Sequence, residues 1–474
     1  FPSCVAAAET LRSLYAEGKE AMEKARVLIG SLVIGGIWGF ARSFVAVLTD
    51  IPIRFGVATV GLRSGGTLKL TGAQLGMNPD LSMLMIAAGM IVGLRVSVSM
   101  MIGATINWLV VVPYVMGLDN WSQEGKHFIG HLEVALAEDG SPAIVKVTRW
   151  SLWFGTALMV ASGLTSFSLS WRTILRALTS VGKGGGAKDA EVDAIEVPTS
   201  WMVAGMIPIT LGLVALCWLA LGINPLLGLF SVVFSFFLAL VACRATGETD
   251  TTPVGALGKI TQFVFAVLAP ANKTVNLMTA GITAGAAGSS ADLLTDLKSG
   301  YLLGANPRQQ FLAQFYGVFF GVLAVVPAWY LLVPNKAALE AFNSPATSMW
   351  YAVAEALSQG IGTIPESARW ALLVGGVLGI VLPLLEASFP SARKYLPSSM
   401  GLGLAFVVPF PNSLSFFLGA VIAAIWTSSN KTTAEKYIVP IASGVVAGES
   451  LAAATYAIGE NFGLWAMLGL SGGE

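Results

Sequence analysis

Residues 244–314 place hydroxyls, amides, carboxylates and glycines inside a chain that is otherwise strongly apolar. The segment contains GETDTTPVGALGKITQ from Gly247, then Asn272, Lys273 and Asn276, then ITAGAAGSSADLLTDLKSGYLLGANPRQQ from Ile282. Glycine and other small residues leave backbone carbonyls and amides accessible. Amide and hydroxyl side chains hydrogen-bond a polar solute without burying fixed charge, which is the costly alternative in an apolar surround. Asn272 and Asn276 are one helical turn apart and can share a face. The solute contacts expected here are Thr252, Asn272, Asn276, Thr283, Ser289, Ser290 and Tyr301. The bland reading is tight helix packing plus a solvated loop.

Isolated ionisable residues raise further chemistry. Glu449 lies in the apolar run 438–457, and an intramembrane carboxylate is a proton-relay position by default; the bland reading is a structural hydrogen bond, for instance to Ser450. Arg95 separates two apolar halves and can pair with a solute carboxylate in bidentate fashion, or simply snorkel at a hairpin tip. Arg42 and Glu386, near the ends of apolar runs, read as snorkelling residues. Asp292 and Asp296, at i and i+4, are further proton-coupling positions. They also match the DxxxD spacing with which intramembrane prenyltransferases hold Mg²⁺ against a diphosphate, with Glu248 and Asp250 as the only second acidic motif. His127 and His131 with Glu133 have a spacing that can ligate a metal, but in a polar loop they read as surface residues. There is no Gly-rich loop ending in Lys-Ser/Thr, so ATP-driven transport within this chain is not indicated.

These residues must be positioned by membrane-type elements. Of 474 residues, 55% are hydrophobic and only 11% charged, with mean hydropathy +0.73; a soluble domain carries about 25% charged residues. Net charge is zero, so nucleic acid is not a partner. Cys4, Cys217 and Cys243 form no metal-type cluster and no disulfide framework. Residues 1–26 read as an amphipathic helix without the apolar core of a signal peptide, and no Met opens it. Apolar spans are expected at about 27–48, 80–95, 97–117, 147–168, 200–221, 224–243, 259–271, 273–289, 309–333, 370–387, 398–410, 412–428 and 437–459. Several are shorter than the roughly 20 residues a crossing needs. The pairs 80–95/97–117, 259–271/273–289 and 398–410/412–428 are expected to be broken helices or re-entrant hairpins, which membranes allow only where the backbone lines a cavity or packs in protein. The fold class is all-α, polytopic and transmembrane.

The chain also repeats itself in order. Val33-Ile34-Gly35-Gly36-Ile37-Trp38-Gly39-Phe40 returns as Leu373-Val374-Gly375-Gly376-Val377-Leu378-Gly379-Ile380, and Ser97-Val98-Ser99-Met100-Met101-Ile102-Gly103-Ala104 as Ser413-Leu414-Ser415-Phe416-Phe417-Leu418-Gly419-Ala420. Ala8-Glu9-Thr10-Leu11 returns as Ala354-Glu355-Ala356-Leu357. Four units are expected: 1–171 with an amphipathic helix and four hydrophobic segments; a polar linker 172–199 with a Gly184-Gly185-Gly186 turn; 200–341 with the polar signature; and 342–474 as the repeat of the first. Glu449 is set opposite Leu164 near Gly163. Internal repeats that hold a solute between them characterise transporters. Basic residues before the first span and at the start of the linker place both on the cytoplasmic side.

The two central stretches, GETDTTPVGALGKITQ and ITAGAAGSSADLLTDLKSGYLLGANPRQQ, resemble signatures of the oligopeptide transporter (OPT) superfamily, and FPSCVAAAETL at the start resembles a family segment that follows several earlier spans. The resemblance implies a secondary transporter of peptides or peptide-like metal chelates driven by protons, with a further N-terminal block of spans before Phe1. Cys4 stands where the family commonly has Gly, and the Asn-Pro-Gly motif of the eukaryotic peptide branch is not evident, which points to a bacterial-type member. The expected partners are a small peptide or metal chelate, protons and the lipid bilayer of the cell membrane (the inner membrane in a bacterium), with a homodimer allowed. No catalytic residue, metal or cofactor is expected. The rival readings are the Mg²⁺-dependent prenyltransferase built on Asp292 and Asp296, and a passive channel.

Overall fold

The computed structural model describes residues 8, 19–45, 51, 53, 56–61, 67–73, 75–114, 120–122, 127–129, 133–136, 142–146, 148–169, 171–172, 195–249, 252–341, 345–360, 366–393 and 395–467. Most of the expected N-terminal helix and most of the linker lie outside them, as do the side chains of His127, His131, Glu133, Glu248 and Asp250. Among the described residues, nine helices are long and apolar enough to cross a membrane. The chain is therefore a multi-pass, all-α membrane protein. Contacts divide it into two compact units: Phe1–Gly18, Gly163–Pro327 and Trp350–Thr363 form one, and Lys19–Ser162, Ala328–Met349 and Ile364–Glu474 the other.

The second unit holds α1 (Lys19–Phe44), α2 (Met83–Val92), α3 (Leu94–Ile106) and the first part of α4 (Thr148–Leu169). Short strand pairs lie between them: β1 (Gly56–Gly61) with β2 (Thr67–Thr71), β3 (Asn120–Ser122) with β4 (His127–Ile129), and β5 (Glu133–Leu136) with β6 (Pro142–Lys146). Within the polar connection 118–146, the described residues form two small antiparallel strand pairs.

The first unit contains the rest of α4, α5 (Thr199–Leu221), α6 (Pro225–Thr249), α7 (Val254–Leu268), α8 (Lys273–Leu303) and most of α9 (Pro307–Leu332). After α10 (Lys336–Ala341) come α11 (Pro345–Gln359), then α12 (Glu366–Ser388), α13 (Ser399–Ala405), α14 (Phe410–Ser429), α15 (Lys431–Asn461) and α16 (Leu464–Met467).

In the second unit the segments that match in sequence pack on one another. Helix α1 packs on α15 of the other repeat: a methyl on Gly35 would lie 2.6 Å from the Val445 carbonyl oxygen, and one on Gly39 would overlap Ala452 and crowd Glu449. Helix α12 packs on α4 in the same way. A methyl on Gly375 would lie 2.5 Å from the Phe154 carbonyl oxygen, and one on Gly379 would meet Leu158 and Ala161. The hairpins exchange too, with Gly419 of α14 against Ile86 of α2 and Gly103 of α3 against Leu402 of α13. Ser82 caps α2 through the Met85 N–H, and Ser398 caps α13 through the Gly401 N–H. Lipid offers no hydrophobic drive between helices, so close backbone approach at small residues holds such packing. By these notches Glu449 of α15 corresponds to Leu158 of α4, six residues before the Leu164 that the sequence alone suggests.

The helices break two to five residues before the expected positions near 96 and 411. Helix α2 ends and α3 begins at Gly93, whose φ of 92° suits a residue without Cβ. The second repeat breaks between Ala405 and Phe410. In the first unit α7 has 15 residues, too short to cross about 30 Å of hydrocarbon. Its partner is longer than the expected 273–289 hairpin arm: α8 runs unbroken for 31 residues through the polar signature and stops at Gly304, φ 77°. Asp292 and Asp296 are therefore mid-helix rather than in a loop.

Candidate functional site

Two buried polar clusters stand out, one in each unit. In the first unit, α7 and α8 form a hairpin closed by residues 269–272, in which Ala271 takes a φ of 63° that non-glycine residues adopt rarely. Asn276, Thr279 and Thr283 recur at helical spacing on the buried face of α8. Asn276 Nδ2 donates to the Gln262 carbonyl at 2.7 Å, while Asn276 Oδ1 and Thr283 Oγ1 are buried with no partner among the described residues. Buried polar atoms in native proteins are almost always satisfied by protein, water or ligand. This face is therefore equipped to receive a polar group.

Lys259 on α7 faces the same interior. It is 1% exposed, donates from Nζ to Gln262 Oε1 at 2.9 Å, and lies 4.3 Å from the centroid of the Trp350 ring. Gly258 makes that possible, because a side chain there would collide with the indole. Gln262 Nε2 in turn donates to the Trp350 carbonyl at 3.2 Å, and Lys273 at the start of α8 pairs with Glu355 at 2.8 Å. Lys259 was legible as a lone cation in an apolar run, the signal that marks function by default, yet the polar neighbours of its segment drew attention from it.

The other residues named from sequence are placed as follows. Thr252 shares a 2.9 Å hydrogen bond with Thr246. Asn272 is exposed and caps α8 through the Val275 N–H. Ser290 Oγ donates to its own helix at Ala286, and Ser289 is exposed, as is Tyr301 at 70%. Asp292 and Asp296 are exposed, and Asp296 accepts from Gln314 of α9.

In the second unit Glu449 is 2% exposed and held by three donors: Leu84 N–H at 2.7 Å, Ser82 Oγ at 2.9 Å and Arg42 Nη1 at 3.3 Å. Arg42 also grips Asp80 through Nε and Nη2 at 2.6–3.0 Å. A carboxylate at the exposed N–H groups of a helix start is favoured by both hydrogen bonding and the helix dipole. Arg95 pairs with Glu386 and donates to the Leu396 carbonyl at 3.1 Å. Arg42 and Glu386 are thus ion-paired rather than snorkelling. Asp80 went unremarked in the sequence; its signal is a carboxylate directly before an N-capped apolar run. Ser97 and Ser413, equivalent in the repeats, are both buried with their hydroxyls unpartnered among the described residues.

Among the described residues, nine helices of crossing length and two buried polar clusters define a polytopic helical membrane protein. The chain belongs to the OPT oligopeptide transporter family, whose model matches residues 1–458. It is similar to a Saccharomyces cerevisiae protein named as an oligopeptide transporter, at 25% identity over 90% of this chain and 63% of that protein. It is also similar to proteins named as metal-nicotianamine transporters. One, from Oryza sativa subsp. japonica, is 22% identical over 97% of this chain and 66% of its own length, and one from Arabidopsis thaliana is 24% identical over 95% and 68%. The chain spans about two thirds of the length of these relatives.

Proposed function

We propose that this protein is a secondary active transporter that moves oligopeptides or peptide-like metal chelates across the membrane, coupled to protons. The observation that carries this reading is the buried polar face of the α7–α8 hairpin, where Asn276 and Thr283 keep unused hydrogen-bonding capacity. Thr252 and the Arg95 pair in the second unit stand as further solute contacts. The internal repeats supply the transport mode, since rocking of one repeat against another is how repeat-built carriers alternate access. Glu449 is the proposed coupling residue: protonation would cancel its pairing with Arg42 and loosen the start of α2. Asp292 and Asp296 are the alternatives.

Proteoliposomes offered a panel of peptides and metal–siderophore or metal–nicotianamine chelates should accumulate at least one solute when a proton gradient is imposed, and not without it. Solute that equilibrates without being concentrated would mean a passive channel. No gradient-dependent uptake of any solute, with prenyl transfer instead, would mean the enzyme built on Asp292 and Asp296.

The site itself has a separate check. With Cys4, Cys217 and Cys243 replaced by serine, Asn276→Cys and Thr283→Cys should react with a water-soluble thiol reagent and be protected by the transported solute. If both stay inert in every condition, the solute path lies elsewhere.

A further inference from the structure

We propose that Lys259 is the anchor for a carboxylate of the solute, with Trp350 as the cover that occupies its place at rest. This deepens the transporter reading above and rests on it for the word solute, though not for the anchor itself. An ammonium taken out of water is expensive unless it is paired, and the usual partner is a carboxylate. Among the described residues Lys259 has none. Its partners are a neutral amide oxygen, Gln262 Oε1 at 2.9 Å, and the face of an indole at 4.3 Å. Ring and amide both attract a cation, but each is weaker than an ion pair. The arrangement is an amine kept dry by replaceable partners, and a carboxylate reaching it would favour its charged form.

The surroundings match a carboxylate-bearing guest. Thr261, Gln262, Asn276, Thr279 and Thr283 are all buried on the same hairpin. Asn276 Oδ1 and Thr283 Oγ1 are without partners among the described residues. Together these give a cation for a carboxylate and amide or hydroxyl groups for the polar body behind it. The cover is built to be lifted. Trp350 rests on the notch at Gly258, and its segment is tied to the hairpin by the Gln262 amide and by the Lys273–Glu355 pair at the hairpin's far end. Both ties are polar and can be exchanged for contacts to a solute. A carboxylate reaching Nζ would replace the Gln262 oxygen and the indole at once.

A carboxylate can come from the C-terminus of a peptide or from a carboxylate-bearing metal chelate. The test separates the two sources and reads no transport. The full chain in liposomes is treated with formaldehyde and dimethylamine-borane, and methylation of each lysine is followed by mass spectrometry. Lys259 should be methylated more slowly than the exposed Lys431, but to completion. Trialanine at about ten times its Kd should lower the rate at Lys259 about tenfold, while trialanine amide at the same concentration should leave it unchanged. Protection by iron(II)–nicotianamine and not by trialanine would assign the carboxylate to a chelate. Lys259 that is never methylated is a sealed structural cation, and the proposal falls. It falls equally if trialanine amide protects as well as trialanine, or if neither trialanine nor the chelate protects. Protection with no gradient-driven uptake of the protecting compound would keep the anchor and remove the transporter reading.

Discussion

Glu449→Ala is expected to destabilise the protein by about 3 kcal/mol, the largest effect of any single polar truncation outside the α7–α8 hairpin. The carboxylate is buried and satisfies Leu84 N–H, Ser82 Oγ and Arg42 at once. Removing one side of a buried charge pair costs about 3–5 kcal/mol. The lower end applies because Arg42 is about a quarter exposed and keeps Asp80. The loss should appear as a lower midpoint when heated protein is followed by size-exclusion chromatography. Glu449→Gln should be milder in stability and sharper in function. It keeps an oxygen for Leu84 or Ser82 and loses the ion pair with Arg42. It mimics the protonated state permanently, so gradient-driven accumulation should vanish while exchange of solute between the two sides persists. A Glu449→Gln protein that accumulates solute as the parent does would make Glu449 purely structural and move attention to Asp292 and Asp296.

Gly419→Leu should cost about 3 kcal/mol or prevent folding altogether. Any Cβ at this position would overlap the carbonyl of Ile86, a backbone atom that cannot rotate aside. The two helices must then separate, and overpacking of this kind costs roughly 1–3 kcal/mol before the loss of the surrounding small-residue contacts is added. Gly103→Leu should act in the same direction but more mildly, because a Cβ there first meets the Ala405 methyl at 2.8 Å and the Leu402 carbonyl oxygen only at 3.1 Å. Gly281→Ala and Gly285→Ala are the controls. A methyl at either meets nothing within 4 Å, so both should be neutral or stabilising by up to about 1 kcal/mol through helix propensity. Equal melting of Gly419→Leu and the parent would mean that the helices do not approach as closely as described.

Much of the architecture was legible in the residues. The apolar runs predict the crossing helices, because backbone groups in hydrocarbon must be satisfied within the segment and a helix is the local solution. That two breaks occur, near Gly93 and between α13 and α14, was legible to within a few residues from the polar or Gly/Pro interruptions of the apolar runs. The paired Gly35/Gly36 and Gly375/Gly376 announce close helix contacts but not their partners. Helix α8 was half legible: residues 273–289 read as a hairpin arm and the rest of the polar signature as loop, whereas one helix runs from Lys273 to Leu303.

Within the site, Asn276 and Thr283 were identifiable as polar residues in a small-residue helix. Asn272, Ser289 and Tyr301 have the same chemistry in the sequence, yet in the fold Asn272 caps a helix, and Ser289 and Tyr301 face outward. Residue type states what a side chain is able to bond. Helix phase and neighbouring elements decide whether it is buried and whether its bonds are already taken.

By itself, then, the sequence determined the membrane class, most of the crossing segments, the ordered internal matches and the polar stretch. All of these depend on interactions within a turn or two of chain, or on composition against a fixed membrane thickness. Only the tertiary structure decided that the matching segments pack on one another. It also decided that Glu449 meets Arg42 and Ser82 across more than 360 residues of chain, and that Lys259 is buried beneath Trp350. Those are pairings between distant segments, selected by which glycine notches fit which helix and by the cost of leaving a buried charge without a partner. No local pattern carries that information.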